Sequence, residues 1–415
     1  MRVVSFAAGL AAALCISACV SSAAAQTFKT LHTFCADDSC SDGANPLQSP
    51  LVQDATGNFY GTAQNRGANG GGTLFELVNG KKFKDVFDFP ASTWPLGPLI
   101  QDADGTLSGL GSGSNGNGLV YRLRPNKKKT RWTYEEIYVF CPNGQGGCTD
   151  ARVPVMLTYV GAASGIPYDG KAPLYGSAQF GGTGSSALGA VFQLTPKGKG
   201  WTEKVIYSFC SVGCTDGMIP SYGLIADSAG NLYGTTSGGG QFGDGTTFKL
   251  TPNAKRTKWT ETVLHSFCAE QECEDGVTPS GLVMDGSGNL YGTTPNGGEG
   301  NLGSIYRIDS AGQFTQLYSF CHQQNCADGD GPQASMTLAP SGLLYGVTAQ
   351  DSRVFSFDPA TSVYTVLHTF CSDGDCSDGF APQSPLTLDA SGALYGTTNG
   401  GGNQSSGGTV FKLTP

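Results

Sequence analysis

Six times along this chain two cysteines stand close together, and two residues past the second stands an aspartate. The pairs are Cys35/Cys40, Cys141/Cys148, Cys210/Cys214, Cys268/Cys273, Cys321/Cys326 and Cys371/Cys376; the carboxylates are Asp42, Asp150, Asp216, Asp275, Asp328 and Asp378. An even set of locally paired cysteines predicts six disulfides, each closing a small loop. Each bridge should contribute at most about 2–3 kcal/mol through the unfolded chain. Zinc is the other use of paired thiols, but no loop offers the second pair that a closed site requires. The aspartates have two readings. As a ring around one mouth they could attract cations, take Ca²⁺ or bond sugar hydroxyls. As Asp-Gly turns, each carboxylate caps its own backbone. One stretch breaks the pattern: between Phe89 and Leu99 there is no cysteine, and Trp94 stands there instead. It either plugs the loop or presents an aromatic platform on the same candidate ligand face.

Residues for catalysis are scarce. Of the four histidines, His32, His265 and His368 fall where Tyr207 and Tyr318 stand in other units, and His322 lies inside a cysteine loop. That placement reads as packing. No Gly-x-Ser-x-Gly, His-Glu-x-x-His or phosphate-cradling glycine loop is present, so no catalytic residue is nominated. A pair of carboxylates drawn from distant units remains an open arrangement for glycoside chemistry.

What must position these groups is a repeat. A strand ending in Leu-Tyr-Gly or a close variant returns with its glycine at Gly61, Gly109, Gly176, Gly234, Gly292, Gly346 and Gly396. The spacing is that of a propeller or an array. Within one unit, Tyr222–Asp227, Asn231–Thr236, Gly245–Thr251 and Trp259–Phe267 read as four strands joined by short turns, with the period of two of half-covered strands. Four antiparallel strands make a blade, and blades must stack to bury their faces. The fold expected is therefore an all-β, seven-bladed β-propeller. Residues 26–415 form one domain, and the N-terminal strand 27–34 completes the last blade and removes two open edges.

The remaining features bound location and partners. A chain with sixty-two glycines invites a reading as disordered, but the glycines fall between regularly spaced strands rather than in a polar tract. The net charge of −9 argues against nucleic acid, whose affinity rests on phosphate neutralisation. Lys127-Lys128-Lys129 is the one dense basic run and reads as a solvated hairpin tip. Residues 1–25 have the charged start, apolar stretch and Ala23-Ala24-Ala25 end of a secretory signal peptide. Ile16-Ser17-Ala18-Cys19 also resembles a lipobox, which would lipidate Cys19. Either way the mature chain is extracytoplasmic, without a later span, and expected to be monomeric.

The run Gly230-Asn231-Leu232-Tyr233-Gly234-Thr235-Thr236-Ser237-Gly238-Gly239-Gly240, followed by Thr247-Phe248-Lys249-Leu250-Thr251-Pro252, resembles the bacterial GloVer tandem repeat. Leu290–Thr294, Leu394–Thr398 and Val410–Pro415 echo it. The resemblance implies an exported β-propeller-like repeat protein with no established activity, so no catalytic residue and no cofactor carries over. Three functions compete. First stands an extracytoplasmic binding or scaffolding propeller for a carbohydrate or protein of the cell envelope. Second is a sugar- or lactone-processing enzyme using the central channel, where Gln48, Ser221, Ser280, Gln333 and Gln383 would converge. Third is a structural envelope protein.

Overall fold

The computed structural model describes residues 26–37, 39–47, 50–144, 148–162, 165–183, 188–198, 200–210, 213–402 and 407–415. The signal segment, Cys19 and Gln48 lie outside the described residues. After β1 (Thr27–Thr33) the chain builds blade 1 from β2 (Val52–Gln53), β3 (Phe59–Ala63), β4 (Thr73–Val78) and β5 (Lys82–Asp88). Blade 2 follows from β6 (Pro95–Gln101), β7 (Leu107–Gly111), β8 (Leu119–Pro125) and β9 (Trp132–Val139). Blade 3 comprises β10 (Ala151–Thr158), β11 (Leu174–Gly181), β12 (Ala190–Lys197) and β13 (Gly200–Ser208). Blade 4 has β14 (Ile225–Ala226), β15 (Leu232–Thr236), β16 (Thr246–Pro252) and β17 (Trp259–Ser266). Blade 5 has β18 (Val283–Met284), β19 (Leu290–Thr294), β20 (Ser304–Ile308) and β21 (Phe314–Ser319). Blade 6 has β22 (Thr337–Leu338), β23 (Leu344–Thr348), β24 (Arg353–Asp358) and β25 (Val363–Thr369). Blade 7 takes β26 (Thr387–Leu388), β27 (Leu394–Thr398) and β28 (Thr409–Thr414), with β1 as its fourth strand. All seven sheets are four-stranded, and every strand pair within them is antiparallel.

The Leu-Tyr-Gly glycine has a steric cause. In each blade it pairs with an aromatic residue of the third strand: Phe75, Tyr121, Phe192, Phe248, Tyr306, Phe355 and Phe411. The aromatic ring lies across the glycine, so a β-carbon there would overlap it. Against the same ring packs a phenylalanine from the preceding blade, just past its fourth strand: Phe34, Phe89, Phe140, Phe209, Phe267, Phe320 and Phe370. These seven contacts are edge-on, with centroids between 4.9 and 5.5 Å apart, the arrangement that the ring quadrupoles favour. All seven phenylalanines are buried.

Strand β1 behaves as the other fourth strands do. It pairs with β28 from Thr27↔Thr414 to Thr33↔Thr409 and shifts register between Thr30 and His32. The outer pair of each other blade carries a comparable bulge, as at Thr247/Phe248 in blade 4 and Val354/Phe355 in blade 6. Blade 7 meets blade 1 through the hydroxyl of Thr397, which donates to the Pro46 carbonyl at 3.0 Å. Thr235 makes the same bond from blade 4 to Ser280 of blade 5, also at 3.0 Å.

Deleting residues 27–33 should therefore leave β28 as an open edge. Size-exclusion chromatography and circular dichroism are expected to show an unfolded or oligomeric protein; an equally stable monomer would refute the role of β1. Phe267→Ala should lower stability by about 3–5 kcal/mol in urea unfolding, as for other fully buried phenylalanines.

Candidate functional site

Each cysteine pair lies at the corner where one blade's fourth strand leads into the next blade's first. All six pairs form disulfides: Cys35–Cys40, Cys141–Cys148, Cys210–Cys214, Cys268–Cys273, Cys321–Cys326 and Cys371–Cys376. Among the described residues, the bridged loop of four corners touches the glycine loop between second and third strands. There the N–H groups of Gly67, Gly240, Gly298 and Gly402 donate to the carbonyls of Cys40, Cys214, Cys273 and Cys376. Both loop types thus share one face, as the repeat predicts. The first cysteines of these corners, from Cys35 to Cys371, have φ between 46° and 64°, a left-handed conformation that costs an L-residue about 1–2 kcal/mol.

The corner at Cys326 differs from those four. Inside the bridges, Glu272 and Asn325, just before Cys273 and Cys326, both take a left-handed φ of 57°. Among the described residues, no N–H from the turn between second and third strands reaches the Cys326 carbonyl. That carbonyl accepts from the Arg353 guanidinium at 2.9 Å instead. The cause lies in blade 6, which joins its second and third strands through residues 349–352 without a glycine. So short a turn cannot fold back over the corner, and a long side chain from the start of β24 spans the gap.

The six aspartates are engaged inside their own corners. Asp42 accepts from the Cys35 N–H at 3.1 Å and meets His32 Nε2 at 2.8 Å. Asp275 and Asp378 meet His265 and His368 at 2.8 and 2.9 Å. In the other three corners a tyrosine hydroxyl donates: Tyr138 to Asp150 at 3.0 Å, Tyr207 to Asp216 at 2.8 Å and Tyr318 to Asp328 at 2.6 Å. Backbone N–H groups complete each set, for example those of His322 and Gln323 on Asp328. Burial works to raise the Asp275 carboxyl, but His265 and two backbone donors hold it below the usual carboxylate range. Burial lowers His368, against the pull of Asp378. The tyrosine hydroxyls are raised, chiefly by burial and then by their carboxylates.

Sequence reasoning places these histidines and tyrosines in the packing and misses their bond to the corner. A signal was available. At the same register position blade 1 has Phe87, which has no polar atom to offer, and the corner after it lacks both cysteines and the aspartate. All three features are lost together. There Trp94 takes a left-handed φ of 41° and is 38% exposed, while the hydroxyls of Thr93 and Tyr134 bond at 3.0 Å.

The corner rings also stack on the next blade's outer strand. His32 lies on Phe83, His265 on Phe314, Tyr318 on Tyr364 and His368 on Phe28, with interplanar angles of 3–9°. In blades 3 and 4 that receiving position holds Glu203 and Glu261 instead. Burial, then the nearby Asp150 or Asp216 carboxylate, pushes each glutamate up to about 7.

Two groupings bring a carboxylate near paired sulfurs, Cys141/Cys148 with Asp150 and Cys268/Cys273 with Asp244. Both sulfur pairs are oxidised, so neither offers the thiolates that metals take. On the axis, Ser221, Gln333 and Gln383 do converge, beside Met156 and Tyr222, around a cavity of about 20 Å³. That is room for about one water molecule. Ser280 does not join them; it is buried and donates to the Pro332 carbonyl at 3.2 Å. Lys129 departs from the expected solvated tip. Its ammonium reaches back to blade 1, 2.7 Å from Asp54 Oδ2 and 3.2 Å from the Tyr60 hydroxyl. Burial opposes ionisation of Asp54, but Lys129, Thr56 and backbone donors outweigh it and hold the carboxyl down to about 2. A run of three lysines gives no hint of a partner from another blade.

Stability should respond to the two glutamates. Unfolded, each ionises near 4.5, and folded near 7. The protonated form therefore favours the fold, and this contribution is complete at low pH and lost as pH rises through about 7. After allowance for solvent screening, the loss is about 1 kcal/mol per site. Chemical unfolding at about pH 5.5 and 8 should show a smaller difference for a Glu203→Gln, Glu261→Gln double variant than for the native protein. Titrating Ca²⁺ into metal-free protein is expected to leave the melting temperature unchanged, because the corner carboxylates already have donors.

The fold is shared with proteins of diverse kinds. A streptogramin B lyase structure superposes with a TM-score of 0.57 at 13% identity, over 94% of this chain and 97% of that one. The virginiamycin B lyase of Staphylococcus aureus gives 0.56 at 13% identity, over 94% and 99%. The extracellular domain assigned to a two-component system of B. thetaiotaomicron gives 0.56 at 14%, over 94% of this chain and 42% of that one. At such identities the likeness is one of fold alone. No curated protein matches the sequence. The Gloeobacter/Verrucomicrobia repeat matches residues 164–411, which is more than half of the chain, and the protein belongs to that repeat family.

Proposed function

We propose that this protein is an extracytoplasmic binding propeller, exported by residues 1–25 and folded from residue 26 onward as a single domain. One observation carries the reading: the cavity where Ser221, Gln333 and Gln383 meet holds only about 20 Å³, while the larger hollows lie off-axis among the turns that join first and second strands. A substrate-processing chamber on the axis would need a volume of several hundred Å³. The face opposite those hollows is braced by six disulfides, which suits an oxidising compartment. Among the described residues no helix is long and apolar enough to cross a membrane. Acidic charge and the absence of a basic stripe weigh against nucleic acid.

The ligand expected is a component of the cell envelope. The mature protein should co-sediment with at least one of insoluble peptidoglycan, cellulose and chitin, and remain bound at about 0.5 M salt, where exposed charge pairs are screened. Failure with all three, together with no capture of envelope polysaccharide in solution, would leave the structural role in its place. Mass spectrometry of the exported protein is expected to find Gln26 first; a lipidated Cys19 would replace cleavage after Ala25 with an anchor.

A further inference from the structure

The turns joining first and second strands are short in most blades. Asp54–Asn58, Asp227–Asn231 and Asp285–Asn289 each close with the aspartate accepting from the asparagine N–H. Blade 3 departs from this, because its connection runs all the way from Thr158 to Leu174. The described part of the connection is firmly built. The Tyr159 hydroxyl donates to the Ile166 carbonyl at 2.8 Å, and the Tyr168 hydroxyl to that of Ala172 at 2.7 Å. Tyr168 is fully buried and makes a parallel bridge with Asp102 in the turn of blade 2.

Between this connection and the turns of blades 1 and 2 lies a cleft of about 770 Å³, well within the range of small-molecule sites. Its floor is apolar, formed by Val52, Leu99 and Leu157 from the first strands of three successive blades. Its polar groups include Gln101, Asp102, Asp104, Lys129 and Thr158. Chemistry narrows the occupant. Among the described residues an anion finds no free cation in the cleft, since Lys129 is paired to an Asp54 that stays ionised, and Asp102 and Asp104 add negative charge. A compact cation finds Asp102 already accepting from the N–H groups of Asp104 and Thr106. A wholly apolar molecule would strip water from the carboxylates without replacing their hydrogen bonds. Gln101 lines the cleft and its amide nitrogen has no partner, a donor that gains by turning toward the cleft to meet a ligand oxygen.

We infer that this cleft binds a short neutral oligosaccharide. Its hydroxyls accept from Gln101 and donate to Asp104 and Thr158, and its C–H faces lie on the leucine floor. The inference rests on the reading of the protein as a binding propeller and gives that reading a site.

The test is calorimetric titration of the mature protein with cellotriose, maltotriose, laminaritriose and N-acetylchitotriose, alongside trigalacturonate and spermidine. At least one neutral trisaccharide should bind. Gln101→Leu and Asp104→Asn should each weaken it by about tenfold or more, the loss of one hydrogen bond to a charged or buried partner. Glu299→Gln, an exposed change on the disulfide face, should not, and melting curves verify that each variant is folded. If Gln101→Leu unfolds the protein, Asp104→Asn and Thr158→Val carry the comparison. The site is refuted if no neutral trisaccharide binds, if binding survives the substitutions, or if trigalacturonate or spermidine binds in preference. Should the native protein and the Asp104→Asn variant sediment equally with a polysaccharide, the binding function stands and only this cleft falls. If the native protein neither sediments nor binds, both fall.

Discussion

The fold depends on one contact made seven times: a phenylalanine past a blade's fourth strand, set edge-on against an aromatic ring in the next blade's third strand. That ring reaches the phenylalanine because it crosses a glycine on its own second strand. The Leu-Tyr-Gly phrase is thus half of an interface. Its constant feature is a missing side chain, and the space left is filled from the adjacent strand. Blades without this interlock would expose one face each, and a four-stranded sheet has no independent means of covering both.

Around that seam the corners add a second, polar layer. A carboxylate gathers backbone N–H groups of a tight loop and ties them to a ring on the fourth strand, while a disulfide clamps the loop in left-handed backbone. The ring then stacks on the neighbouring blade, so loop, strand and blade interface are coupled at one residue. Blade 1, which carries Phe87, shows the coupling by its loss: without a polar ring there is no aspartate and no bridge. Glu203 and Glu261 interrupt the stacking on the two adjacent blades where tyrosine serves the corner, and there the layer becomes sensitive to protonation.

Much of the architecture was legible because it is repeated. The seven glycines, the local cysteine pairs and the match between Leu31-His32-Thr33-Phe34 and Leu367-His368-Thr369-Phe370 each report a position that every blade must fill. Chemistry specific to one place was not legible. Lys129 and Asp54 are brought together only by blade stacking, and nothing local marks either as a partner of the other. Arg353 on the Cys326 carbonyl is a substitute that one shortened turn makes necessary, and among the described residues no other blade repeats it. The small axial cavity is lined by Met156 and Tyr222, single residues that the repeat does not mark. The His/Tyr bond to the corner aspartate lay between these cases. It is repeated, but two chemically different rings fill the position, which hides the shared function of donating to a carboxylate.

The pairing of β1 with β28 also has a temporal side. Among the described strands β1 is made first and its partner β28 last, so six blades can assemble while Thr27–Thr33 still has nothing to pair with. Blade 7 then forms by pairing Thr27–Thr33 with Thr409–Thr414, the most non-local strand pairing among the described residues, and local contacts elsewhere must hold the array in shape until it does. During that interval β1 is an unpaired edge, open to the same strand of another chain. The short disulfide loops bear on this interval, since each closes within its own blade junction and does not wait for the ring.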